Sequence, residues 1–317
     1  MRKDYLGAVA AGALTGVALP AFSIYVEQLY GIALFFGIPV AIGFVVSGVL
    51  RRFGARPLRD SMWCTFGAAF VASMGFLVMG REGLIRVLMA VPIASPFLAI
   101  GALLGYFAFH RRRAPAASVV AMLVIVATMV HVEANVRREP RVEIVEDSVI
   151  IHATPAEVWS SVVALDAVPQ PRNWMYRVGL ACPQRTRIQS QRAGGYRVCT
   201  LSTGQLVEQI EVWRPEHVLR WHSRITPPPM REFNPFYRDV DAPHLHGYYE
   251  SPRGEFALDS IGPGLTRLTR RTWYSQRLYP TFYWSLFCEA GISQIHRTVL
   301  DHVRKMAEAR SGVSVRI

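Results

Sequence analysis

Five long apolar stretches crowd into the first 140 residues, and they constrain this chain more than any other feature. A membrane-spanning helix needs about 20 mostly apolar residues to cross roughly 30 Å of hydrocarbon. The stretches run from about Tyr5 to Val26, Leu29 to Leu50, Ser61 to Met79, Val87 to Phe109 and Ala114 to Val130. The first is too long, and too poorly supplied with a cleavage site, to be a simple signal peptide. No stretch carries a charge at its centre, where an ionisable residue would mark an ion or proton path. An anchoring bundle is therefore expected in preference to a transporter. Gly7, Ala11, Gly12 and Gly16 suit close helix packing in the first stretch. Pro92 and Pro96 are expected to kink the fourth.

The charges between the stretches bear on orientation. Arg2 and Lys3 precede the first, Arg51, Arg52, Arg56 and Arg59 follow the second, and Arg111, Arg112 and Arg113 follow the fourth. The alternate loops hold only Glu27 in one and Arg81, Glu82 and Arg86 in the other. Short Arg-rich loops stay cytoplasmic. The N-terminus is then cytoplasmic and, after five crossings, the C-terminal part lies outside the cytoplasm. The fifth stretch is the shortest, and if it does not span, that part is cytoplasmic instead. The formal charge of +12 is explained largely by these loops. No nucleic-acid recognition motif accompanies it, so no nucleic-acid partner is expected.

Composition changes near residue 133, and with it the organisation. The expected layout is a membrane domain over 1–132, a linker over 133–142, a folded domain over 143–310 and a tail over 311–317. The linker is charged and includes Pro140. Glu143–Ala153 reads as a strand. Thr154-Pro155-Ala156-Glu157 then has the form of a capping box, with Pro at the first helical position. Strands are expected over Val178–Gln189, Tyr196–Thr203, Leu206–Trp213, His217–Ile225, Gly254–Ile261 and Leu265–Tyr274, with Gly and Pro turns between them. A long helix from about Pro280 to Arg310 closes the domain. Its Ile292, Ile295, Val299, Val303 and Met306 form one apolar stripe.

The strand-helix opening Ile150-Ile151-His152-Ala153-Thr154-Pro155-Ala156-Glu157-Val158-Trp159 and the closing helix resemble the START-like superfamily, whose bacterial members include polyketide cyclase/dehydrase-like (SRPBCC) proteins. Arg197–Gly204, Pro227–Met230, Gly254-Glu255-Phe256, Thr272-Trp273-Tyr274 and Ile295-His296 are similar to a membrane-linked bacterial subgroup. The resemblance covers residues 143–310. It implies a helix-grip fold, a curved antiparallel sheet wrapped around a long C-terminal helix, and a cavity for lipids, polyketides or other apolar molecules. It does not imply a reaction. The fold class expected overall is thus an α-helical transmembrane bundle plus an α+β helix-grip domain, in the bacterial inner membrane.

Glu208 is the weak catalytic candidate. It falls on the more apolar face of its strand, with Leu206, Ile210 and Val212, where a carboxylate is costly unless paired. Arg197 or Arg224 can pair with it. The candidate cavity wall comprises Trp174, Tyr196, Arg197, Glu208, Trp221, Arg224, Phe256, Trp273, Ile292, Ile295 and Val299. His244 and His246, with Asp239 and Asp241, lack the further ligands of a usual metal set, so no metal and no cofactor is expected. A disulfide between Cys182 and Cys199 is disfavoured by their register about Gly194-Gly195. The partners expected are the bilayer and an apolar small molecule or lipid. The first reading is membrane-tethered binding of that molecule as carrier or sensor. A cyclase-type enzyme on an apolar substrate and a structural or sensory protein with a protein-binding domain remain alternatives.

Overall fold

The computed structural model describes residues 3–54, 56–109, 116–136, 139–165, 168–169, 173–238, 240, 242 and 246–312. The chain forms two compact units. One comprises Met1–Glu139, Glu232–Pro243 and Leu278–Pro280, and the other Pro140–Arg231, His244–Arg277 and Thr281–Ile317. Arg111, Arg112, Arg113, Asp239, Asp241 and His244 lie outside the described residues.

The first unit holds five helices long and apolar enough to cross a membrane. α1 (Lys3–Ala21) continues through a π-helical turn, Phe22–Val26. A second π-helical turn, Ala33–Gly37, opens α2 (Ile38–Arg52). α3 (Leu58–Val78), α4 (Leu84–Ala108) and α5 (Ala116–Asn135) follow. α2 is the central helix, and its Ile38, Ala41, Ile42, Val46 and Leu50 pack with Ala8, Cys64, Ala68, Leu98, Val126 and Val130. Gly43 and Gly101 let α2 and α4 touch backbone to backbone: a Cβ on Gly101 would sit 2.1 Å from the Val40 carbonyl oxygen. Dispersion at such contacts is what holds helices together where lipid is as apolar as the side chains. Gly12 and Gly16 likewise face Ala68 and Ala72, whereas Gly7 faces open space.

α5 extends beyond the expected Val130 because its last turn has work there. The Glu133 carboxylate accepts from the backbone N–H groups of Ile32 and Ala33 at 2.8 and 2.9 Å. These are donors that the opening turn of a helix leaves without intrahelical partners. At the same end, Arg86 stacks over Tyr30 at 3.9 Å and lies 3.5 Å from Glu82, and the Tyr30 hydroxyl donates to Glu82. Asn234 donates to the Leu77 and Glu82 carbonyls, and the Leu84 N–H donates to the Phe233 carbonyl. Phe233 and Asn234 thus cap the α3–α4 turn. Asp4 with Arg56, at 2.7 Å, and Tyr5 with Asp60, at 2.6 Å, tie the other end.

In the second unit, β1 (Val142–Ile151) leads into α6 (Pro155–Val163) through the expected capping box: Thr154 and Glu157 each bind the other's backbone N–H. α7 (Trp174–Arg177) is a single turn capped by Asn173. Six more strands follow: β2 (Pro183–Ile188), β3 (Tyr196–Leu201), β4 (Gly204–Arg214), β5 (Val218–Ile225), β6 (Tyr249–Gly262) and β7 (Leu265–Gln276). All seven form one antiparallel sheet in the order β1-β7-β6-β5-β4-β3-β2. α8 (Thr281–Arg310) is the long closing helix. Strand order and helix together are a helix-grip fold. β2 is shorter than its expected stretch because α7 and the turn after it take up Val178 and Gly179. Cys182 and Cys199 are both free and buried. Cys182 exchanges hydrogen bonds with Ser202, which leaves Cys199 to pair with Thr186 on β2.

α8 is fastened to the sheet by a buried polar contact at its middle. His296 Nδ1 lies 2.9 Å from Asp147 of β1, and its Nε2 lies 2.7 Å from the Thr272 hydroxyl of β7. Burial and the nearby Arg270 guanidinium push the imidazole below its ordinary pKa. The neutral ring therefore donates from Nδ1–H to the carboxylate and accepts at Nε2 from the threonine hydroxyl. Further along, Trp221 lies flat on Gly254, where a Cβ would come within 2.4 Å of the indole.

Two outcomes follow from this packing. The folded state keeps His296 neutral, whereas the unfolded chain protonates it below its ordinary value of 6.5. Its contribution to stability is then full above that pH and is lost as pH falls. Acid unfolding curves of the full chain should show this slope, and His296→Gln should flatten it. Gly254→Ala should destabilise the fold by about 1–3 kcal/mol, the usual range for overpacking, and shift Trp221 fluorescence; an unchanged unfolding midpoint would contradict the close approach.

Candidate functional site

Successive side chains on a strand point to opposite faces of the sheet, so the register decides which residues meet inside the grip. Arg197 on β3 stands opposite Glu208 on β4, and Ile210 opposite Trp221 on β5. Gly254 on β6 stands opposite Trp221 and Thr272, and Phe256 opposite Arg270 on β7. Asp147 on β1 lies opposite Arg270. One face therefore collects Arg197, Glu208, Trp221, Phe256, Arg270 and Thr272. The buried residues of α8 include Ile292, His296, Val299 and Val303.

At the centre of this face is an ion pair. Arg197 Nη1 lies 3.3 Å from Glu208 Oε2, with both side chains only 3% exposed. The guanidinium stacks over Trp221, its Cζ 4.1 Å from the ring centroid. Arg270 adds a second guanidinium, with Cζ 5.1 Å from the Phe256 centroid. Among the described residues no carboxylate lies within ion-pairing distance of Arg270. Arg197 Nη1, Glu208 Oε2 and Arg270 Nε are buried atoms without a hydrogen-bond partner among those residues. Arg270 nevertheless keeps some accessible surface.

The electrostatics follow from this crowding. Burial pushes the Glu208 carboxyl above the usual carboxylate range, while Arg197, Arg270 and a hydrogen bond from the Trp221 indole pull the other way. Burial, and then the repulsion of Arg197, lower Arg270 to about 10. Cys199, beside the pair, is raised chiefly by burial and then by Glu208, so its thiol stays protonated and inert. With the Asp147 carboxylate turned to His296 and Arg297, the two guanidiniums and Glu208 leave an excess positive charge on this face. Such a set can hold an anion or polarise a carbonyl, and Glu208 can exchange a proton there.

Among the described residues, the buried apolar residues of this unit form two separate clusters. One cluster joins Trp159, Val162, Ile210, Leu219, Trp221, Phe256, Leu258 and Leu268 with Val299, Leu300 and Val303 of α8. A second joins Val145, Tyr274 and Ile292 with Tyr249 and Cys288.

Several of the expected wall residues stand elsewhere. Arg224 belongs to the opposite face of β5, next to inward Ser223, and donates to Gln209 at the surface. It therefore does not pair with Glu208. Tyr196 precedes inward Arg197 and is 42% exposed. Trp273 alternates with Thr272 and Tyr274, so it lies on the outer face, where Arg253 approaches its ring. Trp174 sits on the one-turn α7 and is 67% exposed. Ile295 is half-buried beside the buried row of α8. Arg197, Glu208, Trp221 and Phe256 come together, and Ile292 and Val299 are buried on α8. Arg270, Asp147 and His296 are site-facing polar residues that sequence reasoning did not select. The period-two row Leu268-Arg270-Thr272-Tyr274 was the available signal for Arg270.

No family model matches the chain, and no curated protein matches it. Among solved structures it is similar to the Zhui aromatase/cyclase from Streptomyces sp. R1128, at 13% identity and a TM-score of 0.36, covering 56% of this chain and 100% of that one. It is similar to a START superfamily protein from Mycobacterium smegmatis at 11% identity and a TM-score of 0.36, covering 53% and 98%. It is also similar to a truncated norcoclaurine synthase from Thalictrum flavum at 8% identity and a TM-score of 0.36, covering 54% and 96%.

Proposed function

We propose that the chain is a membrane-tethered binding protein that holds an apolar small molecule or lipid between the sheet and α8. The observation that carries this reading is the Arg197–Glu208–Arg270 set, buried on the inner face with atoms that have no hydrogen-bond partner among the described residues. Guanidiniums left without a counter-charge in a sealed apolar core, as Arg270 is among the described residues, cost several kcal/mol each. They are tolerable where the core is open to an occupant with polar atoms of its own. The accessible surface kept by Arg270 supports the same reading. The walls are then Arg197, Glu208, Trp221, Phe256 and Arg270 from the sheet, and Ile292, Ile295 and Val299 from α8. The five apolar helices keep the domain beside a reservoir of apolar molecules. The Asp4–Arg56 and Tyr5–Asp60 contacts put the N-terminus beside the Arg-rich α2–α3 loop. By the positive-inside rule that end is cytoplasmic, and five crossings carry the second unit to the other side.

The test is native mass spectrometry of the full chain released from lipid nanodiscs. An apolar molecule retained at about one per chain is expected, and its retention should fall when Trp221→Ala opens the wall. Chain that emerges without a ligand, and that takes up no added apolar fluorophore, would sink the reading. For orientation, alkaline phosphatase fused after Ile317 should be active in cells, since that enzyme folds only outside the cytoplasm; an inactive fusion with an active cytoplasmic reporter would reverse the assignment.

A further inference from the structure

The excess charge on the inner face says what kind of molecule fits there. We propose that the ligand is a carboxylate-terminated apolar molecule whose acid group seats against Arg270 and Arg197. This deepens the binding reading above and rests on it.

The charges on the inner face do not balance. Glu208 compensates one guanidinium, that of Arg197 at 3.3 Å. Arg270 has no carboxylate partner among the described residues, and its Nε is a buried donor with nothing to bind there. Asp147, across the register on β1, accepts from the neutral His296 at 2.9 Å, and its charge is set against that of Arg297 at 3.9 Å. The site is therefore one negative charge short. A monoanion balances it, whereas a phosphomonoester dianion would leave an excess negative charge facing Glu208.

Geometry points the same way. Arg197 is 3% exposed and Glu208 2%, so an anion reaching them has to be the leading end of its molecule. A terminal carboxylate meets that condition. The phosphodiester of a two-chain lipid lies between a glycerol and a headgroup and does not. A planar guanidinium offers a carboxylate two parallel donors, which gives orientation as well as attraction. Trp221 and Phe256 back the charged set with apolar surface: their rings lie 5.5 Å apart, against the two guanidiniums.

The experiment uses the full chain in neutral phosphatidylcholine nanodiscs. Titrations compare hexadecanoic acid with hexadecanol of equal length, and with phosphatidylglycerol as the competing anion source. At pH above 8 the acid should bind about 10- to 100-fold more tightly than the alcohol, the range that a charge-assisted hydrogen bond supplies. Arg270→Gln should remove that preference while leaving the alcohol's affinity within about twofold. Glu208→Gln, which deletes the competing negative charge, should raise the acid's affinity. Equal binding of acid and alcohol by the wild-type chain would overturn the carboxylate assignment while leaving the apolar cavity intact. Binding of neither would overturn the cavity itself. Preference for phosphatidylglycerol over the acid would transfer the anion site to a lipid headgroup and refute the terminal-acid argument.

Discussion

The cross-strand pairing of Arg197 with Glu208 places an ion pair in the interior of an otherwise apolar grip, and the surrounding side chains are arranged to tolerate it. Desolvating two charges costs more than their attraction returns unless other groups help. Trp221 helps by presenting its ring to the guanidinium, and its indole favours the ionised carboxylate. Gly254 is small so that the indole can lie flat against β6. Phe256 supports both guanidiniums from below. The second arginine undoes the balance that these contacts achieve. Arg270 is a guanidinium that no carboxylate pairs among the described residues, and its buried Nε has no acceptor there.

His296 shows the contrasting solution. It is as deeply buried, yet the ring is neutral and both nitrogens are matched, one by Asp147 and the other by Thr272. That contact spans β1, β7 and α8, and so joins the helix to the first and last strands of the chain. The grip is fastened there by a satisfied polar group, while a few residues away its charged set is left incomplete. The difference separates a structural contact from a candidate binding site more clearly than burial alone.

The membrane unit obeys another rule. Where the surroundings are lipid, backbone groups at helix ends need partners from the protein itself. Glu133 meets that need for the second span, and Asn234 for the α3–α4 turn. Both were visible in the sequence, but neither role was. Glu133 lies 100 residues or more from the amides it caps, and Asn234 belongs to a loop between two strands of the other unit. Period and composition describe what neighbours in sequence do, and they carry no information about contacts at such separations.

Local rules, in contrast, carried far. Length and hydropathy were enough for the five long apolar helices, and the Thr154–Glu157 box for the start of α6, because each depends only on residues a few positions apart. Alternation on β4 was enough to put Glu208 on the apolar face. Which arginine meets it was a matter of register: β3 offers Arg197 inward, and β5 turns Arg224 outward. The aromatic candidates divided for the same reason, with Trp221 and Phe256 inside and Tyr196 and Trp273 outside. The sequence by itself determined which stretches are helices and which are strands, since those follow from backbone geometry repeated along the chain. A bulge between Ile210 and Val212 turns Val212 outward and Trp213 inward, against the alternation. Only the tertiary structure decided the partners across the sheet, and with them the charge of the interior, because a shift of one residue in register reverses every side chain on a strand.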